Sequence, residues 1–144
     1  MATKKESLER LSRVQLFEDL SKADLTYILN ISKTVEHDEG HTIITEGTSG
    51  AGFHLILDGE ARVVRRGRTL ARIGPGDYFG EMSMIDEGPR SATVIATTPL
   101  TTLSILAWDF RPLVKSRPAM AWKLLVNLTG RLRDVQKQQD SLRS

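Results

Sequence analysis

The feature that most limits what this chain can fold into is a block, residues 34–107, in which short β-type runs alternate with glycines. Residues 42–45 (TIIT), 53–57 (FHLIL), 61–64 (ARVV), 69–73 (TLARI), 93–96 (TVIA) and 101–105 (TTLSI) each have the composition of a strand. Gly40, Gly47, Gly59, Gly67 and Gly76 mark the turns between them. Many short strands at this spacing mean a sandwich or a barrel. Asp58-Gly59 and Arg66-Gly67 carry hairpin signals.

Helical patterns flank the block. Leu8, Leu11, Val14 and Leu16 suggest an amphipathic first helix. Ser21 is placed to cap a second helix, with Asp24 answering it as in a capping box, and Leu25, Ile28 and Leu29 follow at helical spacing. After Ala107 a short helix is expected to Ser116, a break at Arg117-Pro118, then a longer helix from Ala119 to Leu142. Along that last helix Leu125, Leu128, Leu132, Val135, Gln139 and Leu142 form a seam spaced alternately three and four apart. Such a seam either packs on the β block or pairs with a second copy as a coiled coil.

Residues 74–96 (GPGDYFGEMSMIDEGPRSATVIA) carry most of the chemical information. Gly80 ends a strand-like segment at a residue without side-chain bulk, which lets a ligand approach the following amides. Glu81 through Ile85 fit one short helical turn, whose first N–H groups favour negative charge. Nine residues after Glu81 comes Arg90, beyond the bend at Gly88-Pro89, with a planar fork of donors that matches a phosphate. Glu81 repels a phosphate but accepts strongly from sugar hydroxyls. One carboxylate, one arginine and a few amides together describe a site for a ribose cyclic monophosphate. The competing reading is a surface Glu81–Arg90 ion pair beside a glycine-rich turn.

Phe79-Gly80-Glu81, the apolar Met82, Met84 and Ile85, and Pro89-Arg90-Ser91-Ala92-Thr93 resemble the phosphate-binding cassette of the cyclic nucleotide-binding domain family. That family includes the catabolite activator proteins and the regulatory subunits of protein kinase A, and the resemblance runs from about Leu16 to the last helix. It implies a mainly β fold, a β jelly roll with flanking helices. The resulting organisation is a helical segment over residues 1–33, a roll over 34–107 with its cassette at 79–93, and hinge and lid helices over 108–144. The resemblance further implies that Glu81 takes the ribose 2′-hydroxyl and Arg90 the exocyclic phosphate oxygens. Ser91, Ala92 and the amides near Gly80, Met82 and Ser83 complete the cradle. Val63, Leu70 and Ala71 would line the base and sugar pocket. The positions that touch adenine in catabolite activator proteins fall on Val135 and Gln136, which depart from the hydroxyl residues found there. Ser91 after the arginine favours cyclic AMP, with cyclic GMP possible. A dimer through the last helix is open, and no helix-turn-helix follows, so no nucleic-acid partner is expected.

Composition narrows the alternatives. The 144-residue chain has no cysteine, so disulfides and thiolate metal sites are excluded. No apolar run is long enough to span a bilayer, and the charged start lacks the apolar core of a signal peptide, so no membrane partner and a cytoplasmic location are expected. His37, His41 and His54 raise the question of a cupin-like metal enzyme, but His37 and His41 straddle a turn at Glu39-Gly40 and are expected at the surface. No metal and no catalytic residue are expected. A ligand-free interaction module on the same fold remains the other alternative. The net charge of +2 is unevenly spread: from Trp108 onward eight Lys or Arg face three Asp, a solvated helix face or a contact surface for an acidic partner.

Overall fold

The computed structural model describes residues 3–50, 52–86 and 88–143. Eight antiparallel strands form two four-stranded sheets: β1 (Lys33–His37), β2 (Thr42–Ile44), β3 (Gly52–Asp58), β4 (Ala61–Arg65), β5 (Arg68–Ile73), β6 (Tyr78–Phe79), β7 (Thr93–Ala96) and β8 (Leu100–Leu106). The first sheet has the order β1-β8-β3-β6 and the second β2-β7-β4-β5. The chain changes sheet repeatedly, which wraps it into a β roll with helices on one side, as expected.

The first sheet is covered on both faces. Its inner face joins Ile56, Phe79 and Leu100 to Ala61, Val94 and Ala96 of the second sheet. Its outer face carries Phe53, Leu55, Leu57, Leu103 and Ile105, packed against the helices. Double coverage explains why residues 53–57 are almost continuously apolar where a half-exposed strand would alternate. β5, the outer edge of the second sheet, is exposed and carries Arg68 and Arg72, charges that discourage edge-to-edge pairing.

The two hairpin signals part company. Arg66 (φ 51°) and Gly67 (φ 77°) both adopt the left-handed region and join β4 to β5 in a tight hairpin. The Asp58-Gly59 turn joins strands of different sheets, because β3 pairs with β8 and β6 while β4 pairs with β5 and β7. At Gly59 (φ 90°) a Cβ would stand 2.2 Å from the Pro99 carbonyl oxygen, so the crossing is possible only without a side chain. β6 is the strand-like segment expected before Gly80, only two residues long, whereas β1, a polar edge strand, carries no strand signal in its composition.

The first helix, α1 (Lys4–Ser12), is shorter than the apolar spacing suggests. Val14 and Leu16 are buried from a turn and a 3-10 segment (Gln15–Phe17). The second, α2 (Lys22–Ile31), begins with the expected reciprocal cap: Ser21 Oγ accepts from the Asp24 N–H, and Asp24 accepts from the Ser21 N–H. α3 (Ala107–Ser116) ends where Arg117 (φ −131°, ψ 78°) leaves helical geometry ahead of Pro118, and Pro118 opens α4 (Pro118–Arg143) at a position that needs no N–H donor. Met120 and Leu124 are buried in the helix-side core and Leu128 packs on it, whereas Leu125, Leu132, Val135 and Leu142 are exposed. Packing on the roll thus accounts for one member of the expected seam.

A polar node ties α2 to the break between α3 and α4. The Asp24 carboxylate is buried and receives Arg117 Nη2 at 3.2 Å and Lys123 Nζ at 3.3 Å. The Arg117 guanidinium also lies 4.0 Å over the Tyr27 ring. Burial pushes the Asp24 carboxyl up, but its hydrogen bonds from Ser21, Arg117 and Lys123 outweigh this and hold it below the ordinary value of 3.8. A carboxylate with a depressed folded-state pKa contributes stability above that ordinary value and loses it as pH falls through the folded one. Asp24→Ala is expected to cost about 2 kcal/mol at neutral pH, on the scale of hydrogen bonds to a charged group. Urea denaturation of the two proteins at neutral and strongly acidic pH should show the difference vanishing in acid.

Candidate functional site

Between the second sheet's inner face and the segment after β6 lies a cavity of about 430 Å³. Its apolar wall is Ile44 of β2, Val63 of β4 and Val94 of β7. Its other wall is Phe79 to Ser83, followed across the bend by Gly88 to Ala92. The run from Glu81 forms the expected turn, a 3-10 segment (Met82–Met84). Its first internally bonded amide is that of Ser83, donating to the Gly80 carbonyl at 3.1 Å, so the amides of Glu81 and Met82 lie ahead of the bonded series.

Arg90 defines the cavity's chemistry. Its backbone is pinned to the loop before β3: its N–H donates to the Thr48 carbonyl at 2.8 Å, and its carbonyl accepts from the Gly47 N–H at 2.9 Å. The side chain is only 9% exposed. It passes between two glycines with no room to spare: a Cβ on Gly50 would stand 1.9 Å from Nε, and one on Gly80 (φ 82°) 2.5 Å from Nη1. Nη1 is buried with no hydrogen-bond partner. Among the described residues neither Glu81 nor any other carboxylate pairs with this guanidinium, which removes the surface ion pair as an explanation. Burial lowers its proton affinity, yet an arginine stays protonated, so a positive charge is held inside the roll. Such a charge calls for an anion, and a phosphate matches the fork.

Of the residues expected at the site, Val63, Gly80, Glu81, Met82, Ser83, Arg90, Ser91 and Ala92 all line this cavity. Leu70, Ala71 and Gln136 are not among its lining residues. Ala71 is opposite Val63 in the β4–β5 ladder, one strand beyond the cavity wall, and Leu70 is 52% exposed at the irregularity in that ladder. Gln136 is exposed on α4, beyond the last residue that packs on the core. Composition did not single out Ile44, Val94, Gly50 or Gly52 for the site. The alternation of residues 42–45 and 93–96 was the available signal for the first two. For the glycines it was the GTSGAG run at 47–52, in which Gly50 gives clearance to Arg90.

The histidines depart from expectation. His41 is exposed, but His37 is half-buried and stacks on it with ring centroids 5.6 Å apart. His54 lies inside the roll, stacked 5.1 Å from Phe79, with Nδ1 2.8 Å from Ser104 Oγ. Burial, then the charges of Arg90 and His37, push the His54 imidazole down to about 3, so it is neutral. Burial and His41 lower His37 from its ordinary value. Among the described residues no group of three His, Cys, Asp or Glu side chains is placed to hold a metal ion.

A β roll with a buried cation in a walled cavity is the architecture of a small-anion receptor. Residues 34–117 match the profile of the cyclic nucleotide-binding domain, and the chain belongs to that family. It is 33% identical over 132 residues, 88% of its length, to the cyclic AMP receptor protein of Thermus thermophilus, of which it spans 61%. Among solved structures it resembles the N-terminal domain of a transcriptional regulator from Streptomyces coelicolor at 30% identity, with a TM-score of 0.83 over 90% of this chain and 94% of that one. It also resembles a cyclic nucleotide-binding domain from Methylobacillus flagellatus at 31% identity, with a TM-score of 0.73 over 93% and 80% of the two chains.

An unpaired buried cation destabilises the protein that contains it. Arg90→Met, similar in length and uncharged, is therefore expected to leave the ligand-free protein as stable or more stable, by about 1 kcal/mol or more. Thermal denaturation in phosphate-free buffer checks the sign. An arginine serving a structural ion pair would give the opposite result.

Proposed function

We propose that this chain is a regulatory domain that binds cyclic AMP in the Arg90 cavity and couples occupancy to its C-terminal helices. The observation that carries the reading is the guanidinium held inside the roll with Nη1 unpartnered, in a cavity that Glu81 also lines. In this reading Arg90 holds the exocyclic phosphate oxygens and Glu81 accepts from the ribose 2′-hydroxyl. Ser91, Ala92 and the Gly80, Met82 and Ser83 amides enclose the rest of the phosphate. Burial strengthens each of these interactions by excluding water.

The base lies against Val63, with Leu70 and Ala71 at the open edge of the same sheet. Gln136 reaches it only when α4 moves over the mouth or a second copy supplies the helix, and the exposed Leu125, Leu132, Val135 and Leu142 favour a dimer along α4. Transmission starts at the cassette: Met84 is buried in the helix-side core, Ile85 flanks it, and the Ile85 carbonyl accepts from Arg111 of α3 at 3.2 Å. A shift of the Met82–Met84 turn toward a bound phosphate is felt directly by α3. Ligand moves the helices only by its differential affinity for the two arrangements.

Isothermal titration tests the ligand and the two roles together. Cyclic AMP is expected to bind more tightly than cyclic GMP, and Arg90→Ala to lose several kcal/mol of binding, on the order of the loss of a buried charge partner. Removing the 2′-hydroxyl from the nucleotide should weaken binding to the unaltered chain and make little difference to Glu81→Ala. Absence of binding by any cyclic nucleotide would leave the interaction module as the better account. Sedimentation equilibrium should show a dimer that Leu132→Asp dissociates.

A further inference from the structure

Inside the roll, behind the Arg90 cavity, a continuous hydrogen-bonded chain connects two histidines. His37 Nε2 is 3.0 Å from Thr102 Oγ1, Thr102 Oγ1 is 3.0 Å from Ser104 Oγ, and Ser104 Oγ is 2.8 Å from His54 Nδ1. Thr102 is fully buried and Ser104 nearly so, so neither hydroxyl has water as an alternative partner. Each hydroxyl donates once. If both histidines donated inward, one buried O–H would lack an acceptor, so a fully satisfied chain runs in one of two directions.

The direction decides where His54 carries its proton. If His37 donates, Thr102 donates to Ser104, Ser104 donates to Nδ1 of His54, and the His54 proton is on Nε2. If the chain runs the other way, Nδ1 donates and Nε2 presents a lone pair. The Nε2 edge lies against Gly52, which adjoins the cradle: a Cβ on Gly52 would be 4.0 Å from Nε2, and one on Gly80 would be 2.5 Å from both the Gly52 carbonyl oxygen and Arg90 Nη1. A protonated His37 has no choice, because both its ring nitrogens carry N–H and its Nε2 must donate.

We infer that this chain is a proton relay linking the protonation of His37 to anion binding at Arg90, with Thr102 and Ser104 as its switchable members and His54 as a positioning residue. An anion in the cradle favours an N–H at its back over a lone pair, and therefore favours the same direction that a charged His37 imposes. Each event then raises the affinity for the other. Few charged groups face the relay. Arg90 faces His54 from the cassette, His41 faces His37 from the β1–β2 turn, β6 contributes only Phe79 and β8 only the two hydroxyls. Burial and His41 lower the His37 pKa, so this ring takes up its proton only on the acid side of its ordinary value of 6.5. The inference rests on the anion-binding reading of the cavity and adds to it a rise in affinity toward acid.

Two measurements decide it. In the first, cyclic AMP is titrated into the unaltered chain, Thr102→Val and Ser104→Ala between about pH 5 and pH 8. Affinity of the unaltered chain should rise on the order of fivefold toward acid, the low end of typical site-to-site coupling. Both variants, each cutting the relay at a different hydroxyl, should bind as the unaltered chain does at about pH 8 and show no rise. A flat profile in the unaltered chain, or an unchanged slope in a folded variant, overturns the relay and leaves the binding reading standing. No binding at any pH overturns both. The second measurement needs no nucleotide: nitrogen-15 shifts of the His54 ring should show Nδ1 as the bare acceptor whenever His37 is charged. A His54 tautomer with protonated Nδ1 in that state overturns the relay whatever the cavity binds.

Discussion

The fold is arranged around one buried guanidinium that, among the described residues, pairs with no carboxylate. Keeping Arg90 charged and buried costs free energy, and several features of the chain exist only to make that placement possible. Gly50 and Gly80 clear the path of the side chain, and the backbone bonds from Thr48 and Gly47 fix its root. The second sheet supplies an apolar back wall through Ile44, Val63 and Val94, which keeps the surroundings at low dielectric. An interior built for stability alone would place an aliphatic side chain there. In the proposed function the cost is offset, because an anion in the cavity would replace an unfavourable solvation state with a charge-assisted pair.

This also explains which parts of the site were legible in the sequence. Gly80, Glu81 and Arg90 fall within one run of eleven residues, so their chemistry could be read from identity and spacing. Gly50 comes from a loop thirty residues before Gly80 and Gly52 from the start of β3, and their use becomes visible only when the isolated bridge between Ser49 and Pro89 brings that stretch against the cassette. The same holds for the histidine chain. His37, Thr102, Ser104 and His54 lie on three strands whose pairing, β1 with β8 and β8 with β3, is a tertiary fact that no local pattern encodes. Alternation within residues 101–105 was readable, but not that its hydroxyls would face two imidazoles.

The fold itself was more legible, because double burial of the first sheet leaves an apolar run, and glycines that must take positive φ leave a mark at each turn. The failures share one cause. A turn signal reports local backbone shape and not which sheet the next strand joins, so Asp58-Gly59 looked like a hairpin and is a crossing between sheets. Apolar spacing likewise reports burial and not conformation, so Val14 and Leu16 extended a helix on paper that ends at Ser12.

The node at Asp24 gives α2 a mechanical part. Arg117 and Lys123 stand on either side of Pro118, and both reach back to the same carboxylate, while Arg117 also rests on Tyr27. The break between α3 and α4 is therefore bolted to α2 rather than hung from the roll alone. Any rotation of α4 about that break would either carry α2 along as a lever or shear both ionic bolts together. The second helix is in this sense a brace at the root of the last one.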